Sequence, residues 1–407
     1  MRIHNEPELD FDDVLLLPQR TKTASRKDVI LEREFKFYHS PRVWRGIPLM
    51  VANFDTTGVF EIAEKLIPLK VVTVLHKFYS ADEIIEFYKK FNYSVDVYNY
   101  VWISIGLKGE ELEKVKKVTD ATWIQPNIVV DVANGYTDDY VSYLSKVRNE
   151  FPDSIICAGN VCSEEMVGEY ILHGGVDIVK VGIGPGSVCI TRKVAGVGRP
   201  QLSAIDVCSH KAHGLYSQER HLGLICGDGG CKTPGDVGKA FAANADFVML
   251  GGMVAGAEEC QGSWEFENES GKKYLYTIEP TIPHGTVWQE GFEPFSFVPT
   301  PYRSVVTHKK ELDGQIIKEP TKKALAFYGM SSREAMEKNS GGMSDYKASE
   351  GKCVLIPNKG PVEDIFKEIM GGLRSCCSYI GAKSIKEMSR CAEFVKVNRT
   401  HNTIYGV

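Results

Sequence analysis

The chain has 407 residues, of which 43% are hydrophobic and 25% charged, and its formal net charge at pH 7 is −5. This is the composition of an ordinary globular protein, and the lack of basic runs argues against nucleic acid or an anionic membrane as a partner. No apolar stretch is long enough for a membrane helix, and the acidic start MRIHNEPELDFDD is unlike a secretory signal. The eleven cysteines lack metal-type spacing, so we expect reduced thiols in a cytoplasmic protein.

Short β-branched runs alternate with amphipathic segments along most of the chain. The runs predict eight strands, at Pro48–Ala52, Val71–Leu75, Val101–Gly106, Asn127–Val132, Ile155–Gly159, Asp177–Gly182, Leu222–Gly227 and Asp246–Gly251. The other segments predict helices at Val59–Leu66, Asp82–Phe91, Glu110–Val118, Asp138–Asn149, Glu164–Leu172, Leu202–His213, Pro234–Ala243 and Pro361–Leu373. Near-continuous apolar strands between helices are typical of parallel sheets. The pattern therefore predicts an α/β protein with a (β/α)8 TIM barrel, and a doubly wound open sheet is the alternative.

The loop after the predicted sixth strand carries the clearest chemical signal. In DIVKVGIGPGSVCITR, which begins at Asp177, three glycines and a proline lead to Cys189, and Thr191 follows two residues later. Glycine lets a ligand approach main-chain N–H groups closely, and a cysteine at the end of a barrel strand is placed as a nucleophile. Taken alone, the motif also fits a tight turn with a small buried cysteine.

Polar and glycine residues also follow the other predicted strands, at the end where barrel enzymes carry their active sites. They are Asn53, Asp55, His76, Lys77, Asp131, Asn134, Asn160, Asp228, Gly229, Gly230, Gly251 and Gly252. Paired glycines after strands seven and eight fit a phosphate that is bound by backbone N–H groups. The sequence therefore predicts a phosphate-bearing ligand above the ends of the strands.

The connection from the eighth strand to the last helix, at about 253–360, is far longer than an ordinary βα loop. Its later part holds FYGMSSREAM, from Phe327, and SDYKASEGK, from Ser344, whose polar and glycine-rich composition predicts a mobile lid. Its earlier part, at about 261–324, contains no chemical motif. We expect a single barrel domain over 1–407 that carries this insertion.

Several long motifs make the chain similar to the IMP dehydrogenase and GMP reductase family. They are DFDDVLLLPQRT at Asp10, ANFDTTG at Ala52, DVANGY at Asp131, GIGPGSVCITRK at Gly182, GVGRPQLSA at Gly196, DGGCKTPGDV at Asp228, ADFVMLGGM at Ala245, FYGMSS at Phe327 and ASEG at Ala348. The reductase branch is favoured because the segment before Val101 leaves no room for the regulatory CBS domains of the dehydrogenases. The lid also lacks their water-activating Arg–Tyr pair, while FYGMSS and Asn53 resemble the reductases.

The resemblance implies NADPH-dependent conversion of GMP to IMP and ammonia by a homotetramer. It makes Cys189 the nucleophile, Thr191 and Glu350 the proton-transfer pair, and Lys77 the lysine that assists hydride transfer. Implied substrate contacts are Ser187, Asp228, Gly229, Gly230, Gly251, Gly252, Gly329, Met330, Ser331, Lys347, Ala348, Ser349 and Gly351. Implied cofactor contacts, some from a neighbouring subunit, are Ser25, Arg26, Phe78, Asp131, Val132, Ala133, Ile183, Gly184, Met330, Tyr346, Lys347, Ser375, Cys376, Cys377 and Ser378. An implied monovalent cation, K⁺, would lie at Gly184, Gly186, Cys189 and Arg192.

Three positions depart from the family pattern. Phe78 stands where a histidine is usual, Phe54 replaces a methionine, and Lys347 replaces an arginine. Lysine keeps the positive charge but loses the bidentate geometry of a guanidinium. Three other functions stay open at this point: an IMP dehydrogenase without its regulatory domain, a nucleotide-binding protein without turnover, and an FMN-dependent barrel oxidoreductase.

Overall fold

The computed structural model describes residue 3 and the ranges 5–217, 220–267, 273–278, 311–312, 315–316, 321–340, 348–398 and 400. Eight parallel strands close into a barrel, at Leu49–Val51, Val72–Leu75, Val101–Ile105, Ile128–Asp131, Ile156–Val161, Ile178–Val181, Leu224–Asp228 and Phe247–Leu250. Closure comes from the eighth strand, where Leu250 pairs with Val51 of the first. The predicted (β/α)8 barrel is confirmed, and the alternative of an open sheet is wrong.

Eight helices accompany the barrel strands among the described residues. They lie at Phe60–Leu66, Ala81–Lys90, Gly109–Thr122, Asp138–Glu150, Glu164–Leu172, Gln201–Gly214, Pro234–Ala242 and Val362–Ile380. Ser80 and Thr233 cap two of them, because each hydroxyl accepts a hydrogen bond from the backbone N–H three residues later and the carboxylate there bonds back. Short helices at Val95–Tyr100, Thr191–Val194, Arg333–Ser340 and Met388–Cys391 are additions to the sequence prediction.

Aromatic side chains fill the end of the barrel where the strands begin. An antiparallel hairpin, Arg33–Lys36 with Val43–Gly46, covers this end. Its Phe35 stacks on Phe247 of the eighth strand with ring centroids 4.7 Å apart, and Trp44 lies 5.1 Å from the same ring. Burial of these large apolar surfaces closes this end to solvent, so ligands approach from the opposite end.

The long connection after the eighth strand contributes a four-stranded antiparallel sheet. Its order is Lys273–Ile278, Gly262–Glu267, Thr321–Tyr328 and Cys353–Pro357. Buried Trp264 and Leu325 anchor it on the barrel. The third strand leads directly into Gly329, and the fourth follows Glu350 closely, so both ends of the predicted lid are fixed beside the barrel. Aromatic residues at alternate positions, Trp264 and Phe266 in one strand and Tyr274 and Tyr276 in the other, could have predicted these strands.

The two ends of the described chain are joined by a further antiparallel pair, Val14–Leu16 with Phe394–Lys396. Two short hairpins complete the strands, Tyr216–Ser217 with Arg220–His221 and Glu311–Leu312 with Gln315–Ile316. Between the second barrel helix and the third strand there is only the helix Val95–Tyr100. No helix in the described part of the chain is both long and apolar enough to span a membrane.

Candidate active site

A cavity of about 540 Å³ opens at the ends of the barrel strands, and the end of every strand contributes to its wall. Most of the residues that the sequence assigns to a site line it. They are Cys189, Thr191, Glu350, Lys77, Ser187, Asp228, Gly229, Gly230, Gly251, Gly252, Gly329, Met330, Ser331, Gly351, Asp131, Val132, Ala133, Ile183, Gly184 and Gly186. Residues that are far apart in the chain are therefore brought to one concave surface, as in other barrel enzymes.

A chain of hydrogen bonds joins the candidate nucleophile to a carboxylate. The Cys189 Sγ lies 3.3 Å from the Thr191 hydroxyl, which donates to the Glu350 Oε2 at 2.5 Å. A bond from a hydroxyl to a carboxylate at this distance is charge-assisted and strong. The three side chains can therefore pass a proton between the carboxylate and a group bound beside the sulfur.

Backbone pairing places Glu350 beside the cysteine loop. The Ile190 N–H donates to the Glu350 carbonyl at 2.8 Å, and the Lys352 N–H donates to the Val188 carbonyl at 2.9 Å. On its other side, the Glu350 N–H donates to the Ser331 carbonyl at 3.0 Å. The segment around Glu350 is thus held between the cysteine loop and the segment that carries Met330.

Three loops around the cavity present backbone N–H groups that have no protein acceptor among the described residues. They belong to Ser187, Val188, Gly229, Gly230, Gly252 and Met253. Gly252 approaches Ser187 so closely that an added Cβ would lie 2.5 Å from the serine hydroxyl. Unpaired N–H groups in a concave, glycine-rich surface form an anion-binding site. The loops after strands six, seven and eight therefore form one concave surface suited to an anion such as a phosphate, which we call the phosphate cradle.

Lys180 is a functional candidate that sequence reasoning missed. Its ammonium lies 2.7 Å from Asp131 and 2.6 Å from Asp228, and only 3% of its side chain is exposed. Burial disfavours the charged form, but the two carboxylates raise the pKa of Lys180 well above its usual range. Burial also acts on Asp131, yet Lys180 holds the pKa of this carboxyl below its ordinary value. The signal in the sequence is a lysine within the otherwise apolar strand IVKV, at Ile178–Val181.

Amide side chains orient the same two carboxylates. Asn53 donates to the second oxygen of Asp131 at 3.0 Å, and Asn160 donates to Asp228 at 2.9 Å. Each carboxylate therefore has a fixed direction on the floor of the cavity.

A second lysine, an aromatic ring and the carboxylate of Asp131 lie near Lys77. The Lys77 carbonyl accepts a hydrogen bond from Lys114 at 2.7 Å, and burial lowers the pKa of Lys114 to about 8. Phe78 lies outside the cavity wall and is 39% exposed, with its ring 5.9 Å from the Lys77 ammonium. Phe54 lines the cavity, where its ring packs closely against Gly251 and lies 5.1 Å from the ring of Phe327.

A second missed cluster connects the lid to the first strand. Tyr328 donates to Asp55 at 2.8 Å, and Lys338, on the helix Arg333–Ser340, binds the same oxygen at 2.9 Å. In the sequence, Asp55 stands out only as a polar residue that follows a strand. No spacing signal could have found its partners, because they come from the far side of the insertion.

Several residues implied by the resemblance lie away from the cavity wall. Ser25 and Arg26 lie near Ser375–Ser378, since Arg374 donates to the Arg26 carbonyl at 3.5 Å. Within that second segment, the Cys377 side chain is fully buried. Ala348 and Ser349 adjoin Glu350 without lining the cavity. Tyr346 and Lys347 lie outside the described residues.

Arg192 serves as a brace for the cysteine loop. It forms an ion pair with Asp10 at 2.6 Å and donates to the Arg199 carbonyl at 2.7 Å, while its stem packs under Gly184. The Gly184 and Cys189 carbonyls accept no hydrogen bond from the described residues, so they are available to a monovalent cation. In the same part of the chain there is no group of three or more His, Cys, Asp or Glu side chains that could hold a metal ion.

The fold and the site define an enzyme-type (β/α)8 barrel with a cysteine loop and a phosphate cradle. The model of the "IMP dehydrogenase / GMP reductase domain" matches residues 8–277 and 303–403, and the chain belongs to this family. Proteins named GMP reductase from Escherichia coli strain K12 / DH10B, E. coli O139:H28 and Shigella boydii serotype 4 are each 42% identical to it over 406 residues. The similarity covers 100% of this chain and 99% of each relative. The unmatched residues 278–302 fall within the predicted insertion.

Proposed function

We propose that the chain catalyses the NADPH-dependent reductive deamination of GMP to IMP and ammonia, a step of purine nucleotide salvage. One observation carries the proposal: the hydrogen-bonded chain from Cys189 through Thr191 to Glu350 lies on the same cavity wall as the phosphate cradle. The 42% identity to proteins named GMP reductase supports the choice of reaction. Each GMP consumes one NADPH and one proton.

The nucleophile divides a difficult substitution into two easier steps. The Cys189 thiolate attacks C2 of the purine and forms a C–S bond. The C2–N bond then breaks as Thr191 and Glu350 deliver a proton to the departing nitrogen, so ammonia leaves and a thioimidate remains on the enzyme. Addition of hydride at C2 returns the electron pair of the C–S bond to Cys189. IMP is then free to leave.

The other cavity residues bind and orient the two ligands. The cradle N–H groups hold the phosphate of GMP, Asp228 accepts from the ribose hydroxyls, and Met330 lies at the purine edge. NADPH, when bound along Asp131–Ala133 and Ile183–Gly184, supplies the hydride. Lys77 lines the same wall, where its ammonium orients the cofactor and stabilises the charge that changes during hydride transfer.

A homotetramer and a monovalent cation complete the proposal. Because Ser25, Arg26 and Ser375–Ser378 lie together outside the cavity, the cofactor contacts implied for them require a neighbouring subunit. The Gly184 and Cys189 carbonyls, with Gly186, would hold K⁺ and fix the shape of the cysteine loop. The proposal also includes a single domain over 1–407 with a lid in its long connection. It further includes Tyr346 as a cofactor contact and Lys347 as a contact of both substrate and cofactor.

The test follows the absorbance of the reduced nicotinamide with the purified full-length protein, GMP and NADPH. The proposal expects GMP-dependent NADPH oxidation that yields IMP and ammonia in equal amounts, and no turnover by Cys189→Ala. Cys391→Ala, which removes a half-buried thiol outside the cavity, is the matched control and should keep wild-type rates. Formation of NADH from IMP and NAD⁺ would instead identify a dehydrogenase, and GMP binding without turnover would identify a nucleotide-binding protein.

A further inference from the structure

Lys359 lies behind the part of the phosphate cradle that follows the eighth strand. Its ammonium donates to the Gly252 carbonyl at 2.9 Å and to the Met253 carbonyl at 3.1 Å. The carbonyl of Gly251 accepts from two backbone N–H groups further along the same turn, each at 3.0 Å. All three carbonyls of this loop are therefore paired with protein donors.

The pairing of the carbonyls fixes the direction of the N–H groups. In a planar trans peptide the C=O of one residue and the N–H of the next point in opposite directions. Because the Gly252 carbonyl points at Lys359, the Met253 N–H points away from it. The Gly251 carbonyl points at the N–H groups of Val254 and Ala255, so the Gly252 N–H points away from them. Both N–H groups lack a protein acceptor in the described chain, and Gly252 lines the cavity.

The backbone around Lys359 holds its side chain at this position. The Lys359 N–H donates to the Gly256 carbonyl at 2.8 Å, and the Glu258 N–H donates to the Gly360 carbonyl at 3.0 Å. Gly256 has φ of +92°, and an added Cβ there would lie 2.6 Å from the Pro357 carbonyl oxygen. The close approach of the two segments thus depends on this glycine.

We propose that Lys359 is a positioning residue for the substrate phosphate. It holds the loop so that the Gly252 and Met253 N–H groups face the cavity, and it adds a positive charge behind them. Lys359 touches the loop rather than the ligand, so its contribution is specific to the anionic part of the substrate. This inference rests on the proposed function, because it assumes that the cradle takes the phosphate of a purine nucleotide.

The experiment compares the binding of GMP and guanosine to the full-length protein by titration calorimetry. Loss of two charge-assisted hydrogen bonds in Lys359→Met should weaken GMP binding by about ten- to a hundredfold. Guanosine lacks the phosphate, so its affinity should change less than about twofold. Lys359→Arg keeps the charge and the donors and should recover most of the GMP affinity. Lys367→Met, which removes an exposed lysine paired with Asp364, is the control and should match the wild type.

Kinetics separate positioning from a general structural defect. In Lys359→Met the KM for GMP should rise with the dissociation constant, while kcat at saturating GMP stays within about threefold of the wild type. Equal weakening of GMP and guanosine, unchanged GMP affinity, or a lower kcat with an unchanged KM would each overturn the inference. If the wild type binds GMP but does not reduce it, the proposed reaction fails, yet the GMP and guanosine affinities still decide the role of Lys359.

Discussion

The two ends of the barrel use their polar groups in opposite ways. Where the strands begin, Arg148 donates to the Gly175 carbonyl at 2.9 Å, to the Ser154 carbonyl at 2.8 Å and to Asp177 at 2.5 Å. The second oxygen of Asp177 accepts the Ser40 N–H at 3.1 Å, so this buried carboxylate is fully paired. At the other end, the cradle N–H groups around Gly252 have no acceptor among the described residues.

The paired polar groups at one end of the barrel stabilise the fold, whereas the unpaired groups at the other end are available to a ligand. Buried polar groups that are fully paired specify the structure, whereas unpaired groups in a cavity cost stability unless a ligand satisfies them. The same division is expected for barrel enzymes, whose active sites lie at the ends of the strands. Substitutions at the two ends should therefore change different measured quantities.

The largest expected effect is a loss of kcat, from a substitution at the end of the barrel that carries the candidate site. Glu350→Gln keeps the size of the side chain but removes the charge that accepts the Thr191 hydroxyl. Loss of the proton carrier should lower kcat by about 10²- to 10⁴-fold. The midpoint of thermal unfolding should change little, because the backbone pairing of this segment is kept. Steady-state kinetics and thermal unfolding of the same preparation measure both quantities.

Glu337→Gln provides the control for this substitution. Glu337 lies on the helix Arg333–Ser340 of the same lid region, where it forms an exposed pair with Arg333 at 3.3 Å. Its loss should leave kcat and stability near wild-type values. A kcat for Glu350→Gln within a factor of ten of the wild type would remove the carboxylate from the proton-transfer chain.

Arg148→Met should have the opposite effect to Glu350→Gln: the stability of the fold should fall, and the kinetics should stay the same. The substitution leaves the buried Asp177 without its cation and removes the donor of the Gly175, Pro152 and Ser154 carbonyls. Removal of one partner of a buried pair should lower the free energy of unfolding by about 3–5 kcal/mol. Because Arg148 is remote from the cavity, kcat and KM of the protein that remains folded should not change. Urea unfolding and steady-state kinetics check the two expectations.

The matched surface variant is Lys89→Met, which removes an exposed pair with Glu86 at 3.5 Å. It should cost less than about 0.5 kcal/mol. If Arg148→Met lowered the stability no more than Lys89→Met does, or changed kcat of the folded protein, the division between the two ends would be wrong.

The smallest effect concerns a buried histidine beside the functional end. His76 stacks on Tyr79 with ring centroids 3.9 Å apart, and burial lowers the pKa of His76 from 6.5 to about 4. Below pH 6.5 the unfolded chain binds a proton that the folded protein excludes, so stability falls as the pH decreases toward about 4. This group should cost about 1–2 kcal/mol between pH 7 and pH 5.

Urea unfolding at both pH values measures the cost, and His76→Gln should reduce the loss of stability on acidification by that amount. His210→Gln, on the exposed side of the helix Gln201–Gly214, controls for the loss of any histidine. An acid sensitivity of His76→Gln equal to that of the wild type would show that His76 takes up a proton without cost.

The barrel could be predicted because its signal is local. Each strand is a short β-branched run, and every predicted strand overlaps an observed one. The predicted boundaries differ from the structure where a glycine within a helix has another purpose. The last helix was expected to end at Leu373, but it continues to Ile380. Gly372 within it faces Pro234 so closely that a side chain could not fit, so this glycine allows helix packing and does not end the helix.

The candidate site was only partly predictable. Thr191 follows Cys189 by two residues, so their proximity could be inferred from spacing. Glu350 could be added only through the family resemblance, since nothing local connects it to the cysteine loop. Lys180 was overlooked because a strand between two layers was expected to be apolar throughout. Its charge is stabilised by Asp131 and Asp228, which are distant in sequence.

The pairing of the Glu350 segment with the cysteine loop has a consequence for synthesis of the protein. The barrel can close once Leu250 has been added, because that residue pairs with Val51. The cysteine loop is then in place, but Thr191 still lacks its carboxylate partner, and the cradle still lacks Gly252, Met253 and the later Lys359. A nascent chain at this stage therefore has the closed barrel and the cysteine, but neither the complete cradle nor the carboxylate, so translation of the later segment completes the candidate site.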